Sequence, residues 1–142
     1  MKKINLIVLA ISLAFIACDQ AETKTKVEMR ENPLLSEWNT PFGVPPFDKI
    51  EDGDYLPAFK VAFDENNMEI DAIIQNPEAA TFENTIVALE ESGALLNRIS
   101  NVYYAVEGAN TNDSLKAIGQ TLAPLMSSHF DNISLNSDLF AK

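Results

Sequence analysis

From Tyr55 onward the apolar residues of this chain recur in steps of three and four, and that period specifies helix. Tyr55, Phe59, Ala62, Phe63, Ile70, Ile73 and Ile74 fall on one such face. Asp52 or Asp54 supplies an N-cap, Pro57 fits a first turn where its missing N–H costs nothing, and Asn76-Pro77 stops the element. Thr81, with Asn84 three positions on, caps the next helix. Phe82, Ile86, Leu89, Gly93, Leu96, Ile99, Tyr103 and Val106 then form a seam that predicts one continuous helix to about Glu107, on the order of 40 Å long. Gly93 lies on that seam. A glycine in a helix interior costs roughly 1 kcal/mol relative to alanine, so its place there predicts the close approach of a neighbouring helix. Gly108 ends the element and Ala109-Asn110 turn the chain. A third helix starts at Thr111 or Asn112, with Leu115, Ile118, Leu122, Leu125, His129 and Ile133 as its stripe and a kink at Pro124. The fold class is all-α.

The segment before this body is different. Residues 32–51 carry Pro33, Pro41, Pro45 and Pro46, four of the seven prolines, together with the only tryptophan. Proline forbids a regular helix here. Leu34, Leu35, Trp38, Phe42, Val44, Phe47 and Ile50 are too apolar for a solvated linker. The expectation is an extended Pro-rich arm that drapes over the helices and buries its aromatic residues there.

The first residues stand outside the fold. Lys2 and Lys3 are followed by an apolar run from Ile4 to Ile16, then Ala17 and Cys18, the chain's only cysteine. A basic start, a short apolar run and a small residue before cysteine make residues 1–17 a signal peptide that resembles those of bacterial lipoproteins. The resemblance implies lipidation of Cys18, export, and anchoring of the protein to a membrane of the bacterial cell envelope. Residues 18–31 are polar and unpatterned and read as a tether; residues 32–142 are the helical domain. Without its signal peptide the chain keeps eight basic residues against twenty-one acidic ones, a formal charge of −13. Such a surface repels phosphate backbones, which argues against nucleic acid as a partner.

The inventory of chemical groups is thin. His129 is the only histidine and sits on an apolar stripe, which favours a core residue hydrogen-bonded to a neighbouring helix over a metal ligand or general base. Asp131, two positions on, does not share its face. Glu90 with Glu91, and Asp64 with Glu65, are adjacent pairs that diverge on a helix and read as solvated faces. Tyr103 belongs to the seam, while Tyr104 is left to line a groove. There is no phosphate loop, no nucleophile elbow and no zinc motif, so the sequence assigns neither a catalytic residue nor a metal ligand. At the end, Asn136 or Ser137 caps a fresh helical start, DLFAK. Stopping one turn into an apolar helix predicts a truncated domain whose Leu139, Phe140 and part of the third stripe lack partners.

The order of segments says more than any one of them. Asn32-Pro33-Leu34-Leu35 is followed by Pro45-Pro46-Phe47-Asp48-Lys49-Ile50 and Tyr55-Leu56-Pro57-Ala58-Phe59. Then come Thr81-Phe82-Glu83-Asn84-Thr85-Ile86, Ala88-Leu89-Glu90, Ser92-Gly93, Ala109-Asn110-Thr111-Asn112-Asp113, and lastly Leu139-Phe140. This succession resembles the N-terminal region of the thimet-oligopeptidase-like zinc metallopeptidases, above all the bacterial peptidyl-dipeptidases. The resemblance implies the helical N-terminal lobe of a two-lobed enzyme with a deep channel for short peptides. In such enzymes an H-E-x-x-H helix and a later glutamate hold zinc, and the peptidyl-dipeptidase branch releases C-terminal dipeptides. This chain has no H-E-x-x-H, so none of those catalytic residues maps onto it, and by itself it is expected to bind no zinc and to be inactive. The alternative is a complete helical lipoprotein that binds a peptide or protein partner along its apolar seam.

Overall fold

The computed structural model describes residues 30–142, which form helices and irregular segments with no strand among them. A 3₁₀ turn at Asp52–Asp54 leads directly into α1 (Tyr55–Gln75). A π-helical segment at Phe82–Val87 runs into the short α2 (Ala88–Glu91). α3 (Ala94–Asn110), α4 (Asp113–Ser134) and α5 (Ser137–Ala141) complete the chain. Helix α1 is the common surface on which α2, α3, α4 and α5 all pack.

The expected caps form, with one exchange. Thr81 accepts from the Asn84 N–H at 3.1 Å, and the Asn84 side chain accepts from the Thr81 N–H at 2.8 Å. Asn112 accepts from Leu115 at 2.8 Å, and Asn136 accepts from Asp138 and Leu139 at 3.0 Å each. Asp54 does not cap α1 with its side chain. It reaches back instead to the Glu51 N–H at 2.8 Å, and its carboxylate grips Arg30 through two contacts of 2.6 Å. The 3₁₀ turn in front of α1 thus takes over the capping that the sequence assigned to Asp52 or Asp54.

The core is aromatic at its centre. Tyr103 of α3 meets Tyr55 at 5.2 Å and Phe59 at 5.9 Å, both edge to face. Ala58 and Ala62 let α3 approach α1, and Leu96, Ile99 and Val102 fill the contact. The Tyr103 hydroxyl donates to the Leu115 carbonyl at 2.8 Å, which fastens α4 to α3. Of the third stripe, Leu115, Ile118, Leu122 and His129 are buried, but Leu125 is exposed. Helix α4 continues through Pro124 as one element to Ser134.

Three expectations need correction. The long second helix is broken: Ser92 is extended and Gly93 adopts a left-handed conformation (φ 73°), so the chain changes direction between α2 and α3. Gly93 is therefore not a helix-interior residue. Its expected close neighbour is nonetheless real, since a Cβ there would lie 3.2 Å from the Asn66 side chain. The break, preceded by a π-helical turn that shifts the phase, leaves Phe82 and Ile86 exposed at 65% and 51% instead of buried on a common seam. Second, Gly108 does not terminate α3, which continues to Asn110 before Thr111 turns extended. Third, the arm buries only part of its apolar set. Leu34 is fully buried, and Leu35, Trp38 and Ile50 pack on the core, but Phe42, Val44 and Phe47 face solvent. The loop is closed on itself by Thr40, which bonds Val44, and by the Gly43 N–H to Thr40, while Phe42 takes φ 61°. Phe42, held between Pro41 and Pro45, projects fully into solvent, whereas Phe47 stays half exposed at the rim of a cleft shared with Tyr55 and Val106.

Where the arm does dock, the contacts are specific. Asn32 accepts from the Leu34 N–H at 2.9 Å and donates to the Asp54 carbonyl at 2.8 Å. The Trp38 indole donates to the Pro33 carbonyl at 2.9 Å, and Arg98 of α3 lies 4.9 Å above the Trp38 ring while donating to the Leu34 carbonyl at 3.0 Å.

Gly119 of α4 gives the Tyr103 hydroxyl its room, for a Cβ there would stand 2.7 Å from that oxygen. Gly119→Ala should lower stability by about 1–3 kcal/mol in urea unfolding. Tyr103→Phe, by deleting the oxygen, should cancel most of the added cost in the double variant. Strict additivity of the two changes would show that this contact is not the cause.

Candidate functional site

Two features stand out once the helices are in place: a polar cluster at the α2–α3 break and an apolar cleft near α5. The polar cluster is built on α1. In the stripe Phe59, Ala62, Phe63, Ile70, Ile73, the gap is filled by Asn66, which is 3% exposed. Its Oδ1 lies 2.8 Å from Nε2 of His129, and its Nδ2 donates to Glu69 Oε2 at 3.3 Å. Glu69 Oε2 also accepts the Gly93 N–H at 2.6 Å, a charge-assisted bond that fixes the break. Because the Asn66 amide nitrogen faces Glu69, its oxygen faces the imidazole, and Nε2 carries the proton.

His129 is thus the core histidine the sequence favoured. Its ring also packs against Phe63 at 4.8 Å and Phe130 at 5.6 Å. Burial pushes its pKa below the ordinary imidazole value, so the ring is held neutral. One buried imidazole bonded to an amide does not fit a zinc site. Among the described residues, no group of three or more His, Cys, Asp and Glu is placed to hold a metal ion. Glu90, Glu91 and Asp64 are exposed and Glu65 is half-buried. Tyr103 is buried and Tyr104 half exposed. Cys18, the expected lipidation site, lies outside the described residues, as do the expected signal peptide and most of the expected tether. Asn66 and Glu69 were not singled out from the sequence. The available signal was a polar residue at a position where the helical period calls for an apolar one.

The apolar cleft, of about 390 Å³, lies between the Phe82–Val87 segment, the end of α4 and α5. Leu89, Ile133 and Leu139 line it and are half-buried; Ile86 and Phe140 stand at its edge, Phe140 at 95% exposure. Lys142 bonds the carbonyls of Asn76 and Glu78. No helix among the described residues is long and apolar enough to cross a membrane.

Over 114 residues the chain is 41% identical to a dipeptidyl carboxypeptidase of Salmonella typhimurium, and over 111 residues 39% identical to a dipeptidyl carboxypeptidase of Escherichia coli. These matches cover 80% and 78% of this chain but only 17% and 16% of the enzymes. No family model matches the chain. It is a partial homologue of the bacterial dipeptidyl carboxypeptidases, similar to a portion of them.

The neutral state of His129 makes stability acid-sensitive. A base whose folded pKa is lowered contributes fully above its unfolded value near 6.5. The contribution falls as pH drops from there toward the folded value, because the unfolded chain then binds the extra proton. His129→Ala should cost about 1–3 kcal/mol at pH 7.5 by leaving Oδ1 of Asn66 without its partner. It should also lose less of its remaining stability than the parent between pH 7 and pH 5. Parallel acid slopes in urea titrations would rule out His129 as the source.

Proposed function

We propose that this chain is the N-terminal, non-catalytic part of a lipid-anchored zinc metallopeptidase that releases C-terminal dipeptides from short peptides. The observation that carries the reading is the 41% identity to a dipeptidyl carboxypeptidase over 80% of the chain. That this is the N-terminal part rests on the sequence resemblance. The thin inventory of reactive groups supports a scaffolding role, since the chain has one histidine and no H-E-x-x-H. The zinc and the reacting peptide bond belong in this reading to other parts of the enzyme, and these residues help to wall the channel that admits its peptides.

The anchoring is read from Lys2, Lys3, the apolar run and Cys18. Each buried methylene of an acyl chain contributes roughly 0.8 kcal/mol, so two or more chains hold a protein at a membrane stably. The enzyme would then act within the cell envelope.

Two measurements test this reading. The purified chain, with zinc added, should release no dipeptide from short peptides; chelator-sensitive release would contradict a purely scaffolding part. In bacteria fed labelled palmitate, the chain should take up label, and Cys18→Ser should abolish it. Equal labelling of the variant would remove the lipid anchor from the account.

A further inference from the structure

The cleft beside α5 differs from the rest of this acidic surface. The chain's formal net charge is −11, yet none of the side chains lining the cleft is acidic. Its one cationic side chain, Lys142, is turned onto the carbonyls of Asn76 and Glu78. The walls are fixed in advance: Asn136 caps α5 with two bonds of 3.0 Å, and the Thr81–Asn84 cap starts the opposite wall. A preformed apolar cleft loses little entropy when it is filled. Ile86 and Phe140 beside it, and Phe82 one turn before Ile86, are more than half exposed, a grouping that marks an interaction surface and not scattered surface residues.

We propose, on the footing that the chain is the scaffold part of a dipeptidyl-carboxypeptidase-like enzyme, that this cleft seats an apolar segment from the remainder of that enzyme. The matched stretch accounts for only 17% of the Salmonella relative's length, so most of such an enzyme lies elsewhere and supplies the occupant. The absence of acidic side chains selects an apolar segment over a basic one. Ile86 and Phe140 close over it from the two sides, and Leu89, Ile133 and Leu139 form the floor.

The test is thiol accessibility. Residues 30–142 replace the matching stretch of the Escherichia coli relative, and Ile86→Cys or Phe140→Cys is labelled in that chimera and in the full 142-residue chain, with each site followed by peptide mass. Met68→Cys, at a 65% exposed position on α1 outside the cleft, is the control. The expected result is labelling at least tenfold slower at 86 and 140 in the chimera than in the isolated chain, with position 68 unchanged. A chimera with chelator-sensitive peptidase activity whose 86 and 140 positions label freely overturns the docking proposal and leaves the peptidase reading standing. An inactive chimera in which both are protected does the reverse. A chimera that does not fold counts against both. Protection already present in the isolated chain, and rising with its concentration, would assign the cleft to a second copy and overturn the proposal.

Discussion

The bond from the Gly93 N–H to the Glu69 carboxylate, at 2.6 Å, sits where the fold divides. On one side α3 lies along α1 and builds the aromatic core; on the other, α2 and the Phe82–Val87 segment turn toward α5. The left-handed Gly93 makes the turn, and Glu69 holds it to α1. Asn66 links the same carboxylate to His129. One helix face of α1 thereby sets the positions of α3 and α4 together. Asn66 and His129 in this cluster are buried, so they gain from being satisfied and cost heavily when orphaned.

This division explains why half of the second apolar seam never reaches the core. In a straight helix, Phe82 and Ile86 would share a face with Leu96, Ile99 and Tyr103. With the helix broken, the second group packs on α1 and the first stays at the surface. The cleft beside α5 is a consequence of that break.

Much of this was legible in advance. The period of the apolar residues predicted α1 and α4, and α3 as part of a longer helix, and the Thr81, Asn112 and Asn136 caps lie where cap chemistry put them. Gly93 was legible as a close contact but not as a break, because seam spacing continues across it and only the backbone reveals the positive φ. Asn66 and Glu69 escaped notice because period reading counts apolar residues, and a satisfied polar residue in a core leaves only a gap. The arm misled for another reason. Composition shows that Phe42 is apolar, but the local turn that aims it outward depends on conformation. Asn32, Leu34 and Trp38, which do dock, are held by bonds to the 3₁₀ turn, to Arg98 and within the arm itself.

The central claim is that this chain is one part of a larger peptidase whose zinc site lies elsewhere. Its identity to dipeptidyl carboxypeptidases reaches 41%, yet its lone imidazole is occupied with Asn66. The most direct test of that claim lies in the gene. Sequencing onward from the codon for Lys142 should reveal an open frame that continues to an H-E-x-x-H motif. A stop codon directly after Lys142 would contradict the account and leave a helical chain with none of the enzyme's zinc site.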